Sequence, residues 1–144
     1  MGRAKVLAAL LLLWAFWVVG TKVVPPAPCK TQCPPRIGTD FEIEVVRLTN
    51  AERTSRGLQP LKINPKMMSD ARNWSHVQAK SRMHHSRMGY GENVAYGQDT
   101  PQEVMQAWMN SRGHRANILN GRYSTIGVGA VNSGRAIFWT QVFE

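Results

Sequence analysis

Two short segments carry the side chains that could do chemistry in this chain. Residues 84–93 contain His85 and Glu92, and residues 113–120 contain His114. Two imidazoles and a carboxylate can form a divalent metal site, and they can equally relay protons. The same groups also serve as buried hydrogen-bonding partners without taking part in any reaction. The sequence therefore predicts a polar cluster whose use remains open.

Three interpretations of this cluster differ in what Glu92 does. In a zinc or copper site, Glu92 and the two imidazoles would be three protein ligands, with water in an open position. In a structural network, Glu92 would bridge the two imidazoles. In a hydrolase, Glu92 would act as the base for a metal-activated water. No G-x-S-x-G motif occurs, and neither cysteine lies near the cluster, so no serine or cysteine nucleophile is predicted.

His84 precedes the first cluster histidine directly. We predict that His84 is exposed and that His85 is the cluster residue. If the motif is read one residue out of register, His84 would be the cluster residue and His85 the exposed one.

The N-terminal residues 1–20 have the layout of a secretory signal peptide. Basic Arg3 and Lys5 precede an apolar run of 14 residues from Val6 to Val19, and Gly20 follows. A membrane-spanning helix needs about 20 apolar residues, so export with cleavage after Gly20 is predicted. The alternative is an uncleaved segment that anchors the protein in the membrane, because the sequence before the cleavage point is not an A-x-A site.

Residues 21–38 are predicted to form a proline-rich linker that holds both cysteines, Cys29 and Cys33. In an extended chain these cysteines lie roughly 13 Å apart, beyond the roughly 4.4–6.8 Å that a disulfide allows. A local disulfide therefore requires a tight turn, and pairing between molecules is the alternative. The remaining residues 39–144 are predicted to form one domain with a single modest core.

The formal net charge of the chain is +9, and removal of residues 1–20 leaves 16 basic and 9 acidic residues. The positive net charge favours anionic partners. The basic residues are scattered and no nucleic-acid-binding motif is present, so nucleic acid is not a predicted partner. For an exported protein, acidic cell-wall polymers or anionic lipid head groups match the charge, and a basic surface without any specific partner is the alternative.

Helical periodicity predicts two helices at the start of the domain. The first begins after the cap Thr39-Asp40 and ends near Gly57. The second begins near Asn64-Pro65 and ends near Ser81, with His76 on its exposed polar face. The residues that show this spacing are Phe41, Val45 and Leu48 in the first helix, and Met67, Ala71, Trp74 and Gln78 on one stripe of the second.

A third helix and a hairpin are predicted further along the chain. Thr100 and Pro101 are typical of a helix start, Glu103 can complete a capping box, and Gly113 is expected to end the helix in the left-handed conformation. A short turn or helix follows over 114–119. Alternating residues over 126–130 and 136–143 predict a hairpin, which a strand near 93–95 can join. The predicted class is α+β, with a small antiparallel sheet packed against helices.

Several motifs together resemble the CAP superfamily, that is, the cysteine-rich secretory, antigen 5 and pathogenesis-related 1 proteins with their SCP-like extracellular domains. The resemblance covers nearly all of residues 39–144, and the form of the domain looks like that of the bacterial members of the family. It implies an α-β-α sandwich, secretion, and a central cleft with two histidines and one or two glutamates. The matching segments are Asn50–Arg53, Gly57–Leu61, His85-Ser86, Gly91–Ala95, Ala107–Ser111, Gly113–Leu119, Ile126–Gly129 and Trp139–Phe143.

The resemblance assigns His85, Glu92 and His114 to the cleft and implies that they could hold a divalent metal such as zinc. In eukaryotic members a second glutamate lies three residues after the tryptophan of the third helix. Ser111 occupies that position here. A four-ligand set is therefore incomplete, because serine is a poor substitute for a carboxylate ligand.

Other residues near the motifs have structural interpretations. We predict that glycines permit turns or close backbone approach, that tryptophans belong to the core, and that small polar side chains tie the cleft loops together. These residues are Gly89, Gly91, Gly127 and Gly129; Trp74, Trp108 and Trp139; and Asn93 and Gln141.

Three functions are consistent with these observations. The first is a secreted, non-catalytic binding module whose cleft recognises a lipid, a sterol, a cell-wall component or a protein. The second is a metal-dependent extracellular hydrolase, similar to a protease, that uses His85, Glu92 and His114. The third is a structural or adhesive protein of the cell envelope.

Overall fold

The computed structural model describes residues 39–81 and 83–144. The predicted signal peptide, the linker and both cysteines lie outside these residues. The helices in the described part of the chain are α1 (Asp40–Thr54), α2 (Pro65–Lys80), α3 (Pro101–Asn110) and α4 (Arg112–Ile118). The strands are β1 (Lys62–Ile63), β2 (Gly91–Tyr96), β3 (Thr125–Asn132) and β4 (Ile137–Phe143).

The four strands form one sheet in the order β1-β3-β4-β2. The predicted β3–β4 hairpin is confirmed, and β2 joins it antiparallel to β4. The short strand β1 was not predicted, and it pairs parallel with β3, so the sheet is mixed. The side chain of Asn50 in α1 fixes the approach to β1, because its Oδ1 accepts from the backbone N–H of Leu61 at 2.8 Å and its Nδ2 donates to the Leu61 carbonyl at 3.0 Å.

Helices cover both faces of the sheet, which confirms the predicted α-β-α sandwich. Helix α2 packs across β3 and β4. Helix α1 packs on β3, α4 packs on β2, and α3 packs against α1 and α4. The close approach of α2 requires glycine in β3. A Cβ at Gly127 would collide with the backbone of Met67, and a Cβ at Gly129 would collide with the backbone of Ala71. The prediction of close backbone approach is thus correct for both glycines.

Of the three tryptophans predicted to belong to the core, two do so. Trp108 and Trp139 are buried, whereas Trp74 is half-buried and donates from Nε1 to the carbonyl of His84 at 3.2 Å. The prediction for Trp74 was wrong because the loop after α2, rather than the core, packs against its indole. Phe41, which lies at helical spacing from Val45 in the sequence, is 41% exposed, and its ring stacks on Trp139.

The end of α3 differs from the prediction at Gly113. Helix α3 ends at Asn110, and the extended backbone of Ser111 (φ −97°, ψ 123°) separates it from α4. Gly113 lies inside α4 and does not adopt a positive φ. The change of direction therefore occurs two residues earlier than predicted. It places Ser111 directly before the helix that carries His114.

The capping predictions for α1 and α3 differ in outcome. At the start of α1, Thr39 and Glu42 form a complete capping box. At the start of α3, the hydroxyl of Thr100 accepts from the N–H of Glu103 at 3.2 Å. The carboxylate of Glu103, however, accepts from the N–H of Asp99 at 2.8 Å, so it does not complete the predicted box.

Candidate functional site

The first predicted pair of site residues is in direct contact. Glu92 lies in β2 with its side chain 6% exposed, and its Oε1 is 2.8 Å from Nδ1 of His85. Both carboxylate oxygens also accept from the backbone N–H of Ser86, at 2.9 and 3.2 Å. Hydrogen bonds to an ionised carboxylate contribute about 1.5–3 kcal/mol each. Glu92 therefore fixes the loop of residues 83–90 to the edge strand of the sheet.

The partner of Glu92 is His85 and not the adjacent His84. The side chain of His85 is still 62% exposed. His84 is exposed and makes an edge contact with the ring of Trp74, with the ring centroids 4.9 Å apart. The predicted bridge between two imidazoles is absent from the described residues, because Glu92 makes no hydrogen bond to His114.

A second polar network holds α4 against β2. Because successive side chains of a strand point to opposite faces, Asn93 points away from the side that Glu92 occupies. Its Nδ2 donates to the carbonyl of His114 and to Oε1 of Gln141, both at 3.1 Å. Nε2 of Gln141 donates to the hydroxyl of Thr49 in α1 at 2.7 Å. The predicted role of Asn93 and Gln141 in tying the site together is thus correct, and the buried network determines where His114 lies.

Ser111 and His114 line a cavity of about 280 Å³ beside β2, which we call the His114 cavity. Gln98 is its third polar residue. Its apolar walls come mainly from Met83, Val94, Ala107 and Trp108. Glu92 does not line this cavity. Of the four predicted site residues, His85 and Glu92 are thus in direct contact, and Ser111 and His114 line the cavity.

The carboxylate of Glu92 is already engaged in hydrogen bonds in this arrangement. Both oxygens of Glu92 already accept hydrogen bonds from His85 or Ser86. Across residues 39–81 and 83–144, no three His, Cys, Asp or Glu side chains are grouped so that they could hold a metal ion. Zinc binding by His85, Glu92 and His114 was one of the three interpretations of the sequence, and a titration that tests it is described below.

Burial, and secondarily the charge that the nearby His85 can carry, lowers the pKa of His114 below its ordinary value of 6.5. The folded protein therefore holds His114 as a neutral imidazole at pH values where the unfolded chain is already protonated. A neutral imidazole has one donor and one acceptor nitrogen. His114 can accordingly both donate to and accept from a molecule in the cavity.

This pKa shift predicts a pH dependence of stability. Because the unfolded chain takes up a proton at His114 before the folded protein does, the free energy of unfolding should fall as the pH drops below about 6.5. The fall should level off below the folded-state pKa. In His114→Gln the decline between about pH 7 and pH 5 should be smaller, as measured by urea denaturation. His76→Gln, at an exposed histidine, should keep the wild-type decline, and equal declines in wild type and His114→Gln would contradict the prediction.

Several residues at this site were not found from the sequence. Met83, Gln98 and Tyr96 line the His114 cavity, but they lie in or beside loops without periodicity. Gly97 adopts a positive φ of 89°, which turns the chain between Tyr96 and Gln98. A glycine directly after a strand is the one sequence signal for this turn.

A separate groove of about 300 Å³ lies between α1 and α3, and we call it the α1–α3 groove. It is lined by Leu48, Met105, Gln106 and Met109, among others. None of the four predicted site residues contributes to it. It provides a second concave surface against which binding at the His114 cavity can be compared.

Comparison with known proteins confirms the resemblance stated above. Residues 46–143 match the profile of the cysteine-rich secretory protein (CAP) family. The chain is 44% identical over 121 residues to the uncharacterized protein YkwD of Bacillus subtilis (strain 168), and the match covers 72% of this chain and 46% of that protein. The chain spans less than half the length of the curated relatives it matches.

Solved structures agree with the fold. An extracellular protein containing a SCP domain from Bacillus anthracis superposes with a TM-score of 0.66 at 25% identity, covering 78% of this chain and 44% of that one. An outer surface protein of Borrelia burgdorferi gives a TM-score of 0.64 at 17% identity, covering 73% and 94% respectively, and supports the fold alone. Among the described residues, no helix has the length and apolar character to cross a bilayer.

Proposed function

Because the chain belongs to the cysteine-rich secretory protein (CAP) family, we propose that it is an extracytoplasmic, non-catalytic binding module whose ligand enters the His114 cavity. The observation that carries this proposal is the division of the polar side chains at the site. Glu92 is held in a structural contact with His85 and Ser86, whereas Ser111 and His114 line a cavity with largely apolar walls. Apolar cavities with a few polar groups are typical of binding sites.

The same division argues against a hydrolase. A serine nucleophile needs a histidine base that a carboxylate holds in place. Glu92 contacts His85 rather than His114, so in the described part of the chain His114 lacks such a carboxylate beside Ser111. The best candidate for a base, Glu92, accepts from a backbone N–H with both carboxylate oxygens and does not line the cavity. Acyl transfer to a serine nucleophile needs the nucleophile, a base and an orienting group in mutual contact. The residues that do line the cavity are suited to recognition.

The location outside the cytoplasm rests on two supports. The sequence predicts a secretory signal in residues 1–20. A structural neighbour at 25% identity is an extracellular protein containing a SCP domain. At this location the available ligands are lipids, cell-wall components and other proteins. An uncleaved signal would in addition hold the module at the membrane.

We expect a bulky residue at the cavity mouth to abolish binding. Ala107 is exposed and lines the His114 cavity, whereas the adjacent Gln106 lines the α1–α3 groove. In Ala107→Trp the indole should fill the mouth of the cavity. The fraction of the protein that sediments with purified peptidoglycan sacculi or with phosphatidylglycerol vesicles should then fall at least tenfold. Gln106→Trp, a matched change on the same helix, should sediment like wild type.

The outcomes of this experiment separate the two surfaces. Loss of sedimentation in Gln106→Trp alone would place binding in the α1–α3 groove and contradict the proposal. Wild-type protein that sediments with neither sacculi nor vesicles would contradict it as well. Circular dichroism of both variants establishes that each has folded.

A further inference from the structure

Neither backbone conformation nor packing requires glycine at position 121. Gly121 is exposed and follows Asn120 in the turn between α4 and β3. Its φ lies outside the left-handed range that favours glycine. Apart from its chain neighbours, the nearest atom to a Cβ at Gly121 would be Cδ2 of Leu58 at 3.7 Å, an ordinary van der Waals contact. A larger residue would therefore fit this turn.

The glycine does affect the chemistry of the residue before it. Asparagine is thermolabile, because the backbone nitrogen of the next residue can attack the side-chain amide carbon. A side chain on that next residue crowds the attack, and glycine has none. Asn120 is the only asparagine of the chain that is directly followed by glycine. Its neighbour in the sequence thus permits the reaction best.

The attacking nitrogen is free in the folded protein. The N–H of Gly121 donates to no acceptor among the described residues. Asn132, in the turn between β3 and β4, provides an internal comparison. There the N–H of the next residue, Ser133, donates to the carbonyl of Ala136 at 3.0 Å. This hydrogen bond holds the nitrogen of Ser133 in place, whereas the nitrogen of Gly121 has no such restraint.

The side-chain carbonyl of Asn120 is held and polarised. Its Oδ1 accepts from the N–H of Arg122 at 3.0 Å. Because this oxygen becomes negative when a nucleophile adds to the amide carbon, the Arg122 N–H stabilises the developing charge. Oδ1 of Asn132 accepts from the N–H of Gly134 in the same way, at 2.8 Å. The two asparagines therefore differ in the attacking nitrogen and not in the carbonyl under attack.

From these observations we propose that Asn120 is a modification site, at which the folded protein converts to isoaspartate with water as the co-reactant. The nitrogen of Gly121 loses its proton and forms a bond to Cγ of Asn120. The Cγ–Nδ2 bond breaks, and ammonia leaves with that proton. Water then opens the resulting cyclic imide at one of its two carbonyls, and the nitrogen regains a proton. The conversion consumes one water molecule and releases one ammonia molecule.

Arg53 determines which carbonyl of the imide water attacks. Its Nη1 donates to the backbone carbonyl of Asn120 at 2.9 Å, and a charged donor polarises a carbonyl more strongly than the neutral N–H of Arg122 does. Attack there breaks the bond between that carbonyl carbon and the nitrogen of Gly121. The chain then runs through Cγ, which makes the product isoaspartate rather than aspartate. The released carboxylate lies beside the guanidinium of Arg53 and pairs with it.

The test is incubation of the folded wild-type protein at mildly alkaline pH, followed by trypsin digestion and mass spectrometry. Cleavage after Arg115 and Arg122 releases a peptide of residues 116–122 that contains Asn120. This peptide should shift with time to the mass of the deamidated form. Fragmentation should locate the change at Asn120 and identify isoaspartate.

Two controls accompany this measurement. The tryptic peptide of residues 123–135 contains Asn132 and should keep its mass over the same period. In Gly121→Ala, whose added methyl group the turn accommodates, the conversion of Asn120 should be at least fivefold slower. Circular dichroism establishes that this variant has folded. Equal rates in Gly121→Ala and wild type, or at Asn132 and Asn120, would show that the inference is wrong.

Incubation in guanidinium chloride separates the effect of the fold from that of the sequence. The isoaspartate fraction of the product should be higher in the folded protein than in the unfolded chain, because only the fold places Arg53 at the Asn120 carbonyl. Equal fractions would contradict the assigned role of Arg53. If Asn120 converts in the unfolded chain and stays unchanged in the folded protein, the fold protects this residue and the proposal is wrong.

Discussion

Replacing Arg53 with methionine is expected to lower the free energy of unfolding by about 3–5 kcal/mol. Arg53 is 1% exposed and donates to four backbone carbonyls. Burial lowers its pKa from the ordinary value, but a guanidinium remains charged in proteins. Methionine is of similar length and makes none of these bonds, so it would leave the carbonyls, three of them between residues 118 and 123, without a donor.

The position of these carbonyls explains the size of the effect. Ile118 is the last residue of α4, and Asn120 lies just beyond it, so Arg53 donates to the negative end of that helix. The bonds connect α1 to the end of the helix that carries His114. Chemical denaturation should give a loss below about 1 kcal/mol for Arg56→Met, whose exposed side chain pairs with Glu52. A similarly small loss for Arg53→Met would contradict the prediction.

Replacing Glu42 with alanine is the second change expected to be severe, at about 3 kcal/mol or more. Glu42 is fully buried, and its carboxylate accepts from Arg72 through Nε at 2.9 Å and through Nη2 at 2.5 Å. It also accepts from the N–H of Ala130 in β3 at 3.1 Å and from the N–H of Thr39 at 2.7 Å. One carboxylate thus joins α1, α2 and the sheet. Its removal leaves a partly buried guanidinium without a counter-charge.

The matched control for this change is Glu44→Ala in the same helix. Glu44 forms an ion pair with Arg47, whose side chain is 63% exposed, and such surface pairs contribute about 0–1 kcal/mol. The double variant Glu42→Met with Arg72→Met should recover part of the loss, because no unpaired charge remains. Thermal or urea denaturation measures all three. Equal losses for Glu42→Ala and Glu44→Ala would contradict the assigned role of the buried carboxylate.

The features that the sequence predicted correctly are those with a local signal. The capping pair Thr39-Asp40 and the Asn64-Pro65 dipeptide mark the starts of α1 and α2 closely, and alternating side chains mark β3 and β4. The contact between His85 and Glu92 followed from family motifs. These signals depend on neighbouring residues or on recurring motifs, and they need no knowledge of the tertiary structure.

The features that the sequence did not predict depend on packing between distant segments. Strand β1 has two residues, too few to show alternation. Arg53 and Glu42 have charged side chains, which are normally exposed, and only their distant partners explain their burial. The stacked rings of Tyr96 and Phe138 meet because β2 and β4 place the two residues opposite each other. No spacing along the chain indicates this pair.

A zinc titration tests the central claim about the site most directly. That claim is that Glu92 is a structural partner of His85 and that the His114 cavity binds its ligand without a metal ion. Zinc is titrated calorimetrically into metal-free wild-type protein, His85→Ala and His114→Ala. We expect the same weak, non-stoichiometric uptake in all three proteins. One zinc bound per wild-type molecule, with loss of that binding in both variants, would contradict the claim and would establish the histidines as metal ligands.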